Sequence, residues 1–232
     1  MIGIIGAMES EVLTLKEAIS QKETICIAQM DFTKGTIADV SVVVVRCGIG
    51  KVNAALCMQI LVDHFGVTCV INTGAAGSLN ATLNIGDILI SKEALQHDID
   101  VTPLGYQPGV IPQLETSIFK ANERMVEMAQ SACARVLPEI GASVGRVLSG
   151  DQFISDPAMK DRLCSLFQGD CAEMEGAAIA QGAMLNGIPF LILRSISDKA
   201  DGSAHMEYPE FEKRAAMQSA KVVLEIIKSL VE

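Results

Sequence analysis

The chain has 232 residues, half of them apolar, with 18 basic and 28 acidic side chains and a net charge of −10. That length suits one well-buried domain (1–232), and the acidic balance repels nucleic acid and anionic membrane surfaces. No apolar run nears the roughly 20 residues of a bilayer span, and an N-terminus that turns acidic by Glu9 lacks signal-peptide character, so a soluble cytoplasmic protein is expected.

Apolar periodicity alternates between strand and helix along the chain. "IGIIGA" (2–7) reads as a buried strand and "ESEVLTLKEAIS" (9–20) as a helix. Strands are expected at about 24–30, 31–37 and 41–47. A helix follows over "KVNAALCMQILVDHF" (51–65), with Val52, Ala55, Leu56, Ile60 and Leu61 on one apolar face. The apolar strand "VTCVINTG" (67–74) ends in a turn, "GAAGSL" (74–79), and the strand "GDILISKEAL" (86–95) leads into "HDIDVTPLGYQPGVIPQ" (97–113). A Pro- and Gly-rich loop of that length is functional or mobile rather than a mere connection. Next come a helix near 118–136, the strand "ASVGRVLSG" (142–150), a short helix near 157–167 and the strand "CAEM" (171–174). A small-residue helix, "EGAAIAQGAML" (175–185), the strand "PFLILRSIS" (189–197) and a helix over about 208–230 complete the pattern. Strands that are apolar throughout, interleaved with helices, belong to a sheet covered on both faces. The expected fold class is α/β, a sandwich of helices around a central sheet.

Seven cysteines, at 26, 47, 57, 69, 133, 164 and 171, include no C-x-x-C pair and read as reduced core residues. His64, His97 and His205 stand at no ligand spacing to one another, so no metal site is expected.

In such sheets ligands bind beyond the carboxyl ends of the strands. Standing there are Met8, Glu9 and Glu11; "GAAG" (74–77); "DQFI" (151–154); "EMEG" (173–176); and "RSISD" (194–198). Carboxylates gather at these ends, with Arg194 among them. Neither glycine pattern is a phosphate cradle. "GIIG" has the wrong spacing for a dinucleotide fingerprint, and "GIGKV" (48–52) has Val45 and Val52 where a P-loop needs Gly and Ser or Thr. Taken singly, Glu11, Glu173 and Glu175 read as solvated first-turn acids, and Asp198 as a cap or turn residue. Against this, Glu173 and Glu175 are flanked by Ala, Met and Gly, with no lysine nearby.

Eight motifs, "GIIGAMESEV", "GIGKVNAA", "INTGAAGSL", "GDILIS", "HDIDVT" with "GYQPGVIPQ", "SGDQFI", "AEMEGAAIA" and "RSISDKAD", occur in an order that resembles the bacterial 5′-methylthioadenosine/S-adenosylhomocysteine nucleosidases. The resemblance spans nearly the whole chain. It implies the three-layer αβα fold with a mixed sheet found in the wider superfamily of purine nucleoside and uridine phosphorylases. It also implies a hydrolase, needing no cofactor, that splits methylthioadenosine, adenosylhomocysteine and 5′-deoxyadenosine into adenine and a ribose product, in methionine salvage.

By the same resemblance Glu11 activates the attacking water, Asp198 protonates the purine, Glu175 binds the ribose and Arg194 stands beside the water, with Glu173 also near the substrate. Phe153 would stack on adenine and the backbone of Ile154 would read its edge, while Gly77 and Met174 line the base and ribose. Met8, Ile49, Val101, Leu104, Pro112 and Tyr208 would enclose the 5′-thioalkyl group. Core packing is the alternative reading for Ile49 and Val101. The chemistry suits these residue types. Glycosidic cleavage makes an oxocarbenium-like sugar and an anionic base, so it wants a neutral acid at N7 and an ionised carboxylate by the water. The acid then needs a raised pKa and the base an ordinary one. Ala75 replaces the usual Ser, and Leu104 and Tyr208 replace Phe, departures that bear on the 5′ group preferred. A homodimer is implied, with the 101–112 loop completing the neighbour's site.

Two rivals remain within the superfamily. A phosphorylase would carry Arg and Ser where this chain has Asn72 and Ala75, and an Arg in place of the acidic "MESE" (8–11). Some members of the closer family also cleave aminodeoxyfutalosine, in menaquinone synthesis. A binding protein that has lost catalysis is the reading from outside the enzymes, and the trio Glu11, Glu175 and Asp198 argues against it.

Overall fold

The computed structural model describes residues 1–230 and, at 205–207, 209 and 210, the backbone alone; the side chain of His205 therefore lies outside the described residues. The elements run β1 (Ile2–Gly6), α1 (Glu9–Ala18), β2 (Ser20–Ile27), β3 (Met30–Ile37), β4 (Val40–Arg46), α2 (Lys51–Phe65), β5 (Cys69–Ser78) and β6 (Ile88–Gln96). They continue with β7 (Phe119–Lys120), α3 (Glu123–Val136), β8 (Ala142–Ser149), α4 (Pro157–Phe167), β9 (Cys171–Glu173), α5 (Gly176–Leu185), β10 (Phe190–Asp198) and α6 (Ala204–Lys228).

The strands share one mixed sheet with helices on both faces, a three-layer αβα arrangement. β1 lies parallel between β4 and β5. Its apolar run serves both layers: Ile5 packs with α2 and α5, Ile2 and Ile4 with α1, α3 and α6. β4 divides its valines likewise, Val43 and Val45 to one side, Val42 and Val44 to the other. This two-sided burial is why these strands show no polar alternation. β10, β6, β8, β9 and β5 pair in turn, and β10 also pairs with β5, so half the sheet closes on itself. That closure sets the strand ends of β5, β9 and β10 around one hollow.

Four local expectations change. "GAAG" is strand, not turn: β5 runs to Ser78, with Gly74 in register with Arg194 and Gly77 with Asp198. Glycine reads as a breaker, but these two are needed for space, as shown below. In α2 the buried face carries Ala54, Cys57, Met58 and Leu61, whereas Val52, Ala55 and Leu56 face outward. The helix is apolar nearly all round, so periodicity alone could not choose the inward stripe. α3 begins only at Glu123, because Phe119 and Lys120 pair with β6 and the Asn122 side chain accepts the Met125 N–H at 3.1 Å as a cap. The closing helix starts earlier than expected, at Ala204. The β2–β3 and β3–β4 turns are two-residue hairpins with positive φ at both positions, 51° and 61° at Ala28 and Gln29, 47° and 63° at Ala38 and Asp39. That is the I′ geometry that matches strand twist, held without glycine. All seven cysteines are free thiols; Cys47, Cys57, Cys133 and Cys171 are buried and Cys26 is exposed. No helix among the described residues is long and apolar enough to cross a membrane.

Candidate active site

Beyond the carboxyl ends of β1, β5, β9 and β10 lies a cavity of about 350 Å³ lined by Glu11, Glu173, Glu175 and Asp198. Its other walls include Met8, Ile49, Ala75, Gly77, Phe153, Met174 and Tyr208. None of the four acids is a solvated helix start: each is at most 7% exposed. Burying four carboxylates in one cavity is a costly arrangement, so the hydrogen bonds around each one matter.

Glu11 sits in the first turn of α1 and folds back over the β1–α1 junction. Its Oε2 accepts the N–H groups of Ala7 at 2.7 Å and Met8 at 3.0 Å, and its Oε1 accepts that of Ala75 at 3.1 Å. A Cβ on Gly74 would stand 2.4 Å from Glu11 Oε1, so only glycine lets β5 approach so closely. Burial raises the Glu11 carboxyl above its ordinary range, although Arg194 and the backbone donors pull it down. The expectation of an ordinary pKa for this residue is thereby corrected.

The physical cause is burial, which the charge of Arg194 only partly offsets. This fully buried guanidinium pairs with Glu173 rather than with Glu11 or Glu175, and donates to Asn72 Oδ1 at 2.5 Å and to Leu193 O at 3.1 Å. Asn72 in turn donates to Ile5 O at 2.9 Å, locking β5 to β1. The Arg194 Nε is buried with no hydrogen-bond partner among the described residues. Glu173 is saturated: besides Arg194 it accepts the N–H groups of Glu175 and Gly176 and the Ser149 hydroxyl. It is the structural counter-ion at the start of α5.

Glu175, at the N-terminus of α5, accepts one hydrogen bond among the described residues, from Gly50 N–H at 2.8 Å, which ties it to the start of α2. Burial, reinforced by the neighbouring charge of Glu173, pushes its carboxyl up to about 8. Asp198 closes β10 just past a register shift between Ile196 and Asp198, the kind of irregularity that re-aims a side chain. Its Oδ1 accepts Ala200 N–H and its Oδ2 the Ser197 hydroxyl, both at 2.8 Å. A Cβ on Gly77 would lie 2.8 Å from Asp198 Oδ1, so this second glycine also makes room for an acid.

One wall is apolar. Phe153 and Tyr208 meet edge to face, with ring centroids 5.7 Å apart, and the Tyr208 hydroxyl donates to Met8 Sδ at 3.2 Å. Ile49 is 55% exposed rather than core. Ile154 lies just outside the cavity, buried with Leu79, Leu163 and Ala200. Arg194 is likewise behind the lining. Val101, Leu104 and Pro112 are not brought to this cavity at all; they stand on the loop between β6 and β7, where Leu104 is 74% exposed. Sequence reasoning passed over Ser149, Ser197 and Gly74, and took Asn72 only as a mark against phosphate binding. Ser197 could have been found from its place beside Asp198, but nothing in the local pattern flags Ser149.

The profile of the phosphorylase superfamily matches residues 1–228. A 5′-methylthioadenosine/S-adenosylhomocysteine nucleosidase from Staphylococcus carnosus is 44% identical over 231 residues, 99% of this chain and 100% of that one. The crystal structure of a nucleosidase of that name from Neisseria meningitidis, in complex with methylthio-immucillin-A, is similar with a TM-score of 0.94 and 38% identity, covering 98% of each chain. A futalosine hydrolase mutant from Helicobacter pylori is similar with a TM-score of 0.94 and 32% identity, again over 98% of each chain.

Proposed function

Given that the chain belongs to the phosphorylase superfamily and, within it, to the 5′-methylthioadenosine/S-adenosylhomocysteine nucleosidases, we propose that it hydrolyses the N-glycosidic bond of those two nucleosides. The observation that carries the proposal is the convergence of Glu11, Glu175 and Asp198 on one cavity with an apolar wall. Glu11 takes a proton from water as its oxygen adds to C1′. The C1′–N9 bond breaks with its electron pair passing to the base, and Asp198 delivers a proton to N7, so adenine leaves neutral. Glu175 accepts hydrogen bonds from the ribose hydroxyls, which strengthen as the sugar gains positive charge. Arg194, through its unpartnered Nε, donates to the water; Phe153 and Met8 hold base and 5′-sulfur. A raised pKa suits Glu11 to this role, since a general base works best with a pKa near the working pH.

Water rather than phosphate is the nucleophile. A phosphate dianion beside Glu11, Glu173 and Glu175 would find, among the described residues, one cation, Arg194, already held by Glu173 and Asn72. We further propose a single catalytic domain acting as a homodimer in the cytoplasm, 5′-deoxyadenosine as an additional substrate, and a place in methionine salvage. Futalosine-type nucleosides are the second reading, supported by the similarity to the Helicobacter pylori hydrolase.

The test is adenine release from methylthioadenosine with and without inorganic phosphate. The expected products are adenine and free methylthioribose at a phosphate-independent rate, with Glu11→Gln about 10²–10⁴-fold slower. A sugar 1-phosphate seen by phosphorus NMR would refute the hydrolase. Parallel assays with aminodeoxyfutalosine and 5′-deoxyadenosine set the substrate range.

A further inference from the structure

A second cavity, of about 560 Å³, opens beside the first and shares Ala7, Met8 and Ile49 with it. Past this apolar collar the lining changes character. It carries Arg46 and Glu9, charges of opposite sign whose nearest atoms, Arg46 Nε and Glu9 Oε2, stand 4.0 Å apart. We infer that this second cavity is the subsite for a zwitterionic α-amino-acid tail on the 5′-sulfur, with Arg46 receiving the carboxylate and Glu9 the ammonium. The inference rests on the nucleosidase reading above and deepens it.

Three observations carry it. The order of surfaces matches the order of groups on such a substrate: apolar Met8 and Ile49 for thioether and methylenes, then paired charges for the zwitterion. The second is the freedom of the arginine. Glu9 is gripped through both oxygens by Lys16 at 3.0 Å, and among the described residues Arg46 keeps only its 4.0 Å contact, with its side chain 55% exposed. Its fork of donors therefore remains open to a carboxylate. The third is placement. Arg46 is in register with Gly6 at the end of β1, and Cys47 N–H to Gly6 O (2.9 Å) and Gly48 N–H to Ala7 O (3.1 Å) clamp its strand against the segment bearing Met8. In a chain of net charge −10, with four acids in the adjoining cavity, a tail carboxylate would be repelled without a local cation. Arg46 in the lining of the second cavity supplies that cation.

The experiment compares kcat/KM for adenosylhomocysteine, methylthioadenosine and 5′-butylthioadenosine, a neutral thioether of similar length, in the unaltered protein, Arg46→Gln and Arg46→Glu. Arg46→Gln is expected to lower kcat/KM for adenosylhomocysteine about fivefold, the effect of one solvent-exposed ion pair. Arg46→Glu should lower it further, with both neutral thioethers little changed. Raising salt should narrow the gap between adenosylhomocysteine and methylthioadenosine in the unaltered protein but not in Arg46→Gln, because an exposed charge is screened. An unchanged ratio among the three substrates, or an equal loss for all, overturns the subsite and leaves the nucleosidase standing. Failure of the unaltered protein to cleave any of them overturns both.

Discussion

Asp198 receives a backbone N–H on one carboxylate oxygen and the Ser197 hydroxyl on the other, so its position is fixed before substrate arrives. Asp198→Asn keeps the size and one acceptor but has no proton to transfer. Its kcat is expected to drop about 10²–10⁴-fold while calorimetric binding of a non-hydrolysable nucleoside analogue persists. A kcat within tenfold of the unaltered protein would remove Asp198 from the acid role. Glu175 gives a prediction in stability. Its folded pKa, about 8, lies above the 4.5 of a free glutamate, so the folded state holds a proton that the unfolded chain has released. Stability therefore falls as pH rises from about 4.5 to about 8, and the cost is complete above that. Glu175→Gln, which still accepts from Gly50, should raise Tm at pH 8.5 by about 2–4 °C for each kcal/mol recovered. The gain should fade toward pH 4.5, as thermal melts across that range would show. The same variant should lose activity, since a site that holds buried charge trades stability for function.

The end of β5 is the element on which the site is built. Its Gly74 and Gly77 leave Cβ-sized gaps that Glu11 and Asp198 fill, and the Ala75 N–H between them binds Glu11. Gly74→Ala would place a methyl group 2.4 Å from Glu11 Oε1 and displace that carboxylate. The expected outcome is a stability loss of about 1–3 kcal/mol with kcat down about a hundredfold, the effect of an ångström of misplacement. Denaturant melts and steady-state rates separate the two. Equal activity at reduced stability would show that Glu11 position does not limit turnover. How far such elements were legible depended on their periodicity. The strand–helix alternation was plain, but "GAAG" looked like a turn because small residues signal breaks unless one knows what they adjoin.

Across the whole molecule, apolar surface is left uncovered: Val52 is 71% exposed and Leu56 49% on α2, Leu185 62% on α5, and Leu104 74% on the loop after β6. Large exposed aliphatic side chains on neighbouring elements are what an interface requires. The proposed homodimer would bury them and bring Leu104 to the partner's 5′ pocket. Mixing tests this. Glu11→Gln and Leu104→Ser should each be impaired, the second chiefly in KM. In a heterodimer one site receives both changes and the other neither, so co-refolded chains should regain activity above the average of the two parents. Additive activity, or a monomer by light scattering at micromolar concentration, would reject the loop's role in trans.

Residue order alone determined the layered α/β fold, since strands apolar on both faces have to be sandwiched. Through the ordered motifs it also pointed to the acids at the strand ends. It could not say which carboxylate Arg194 neutralises, because Glu11, Glu173 and Glu175 are equally plausible partners in sequence. The three-dimensional arrangement chose Glu173, and burial raises the proton affinity of Glu11 and Glu175 beside it. Nor could periodicity choose the inward stripe of α2, a helix with apolar residues on most of its circumference; the small side chains of α5 packed against it decided. Local pattern fixes which residues avoid water, whereas the allegiance of a charge depends on distances between segments that only folding brings together.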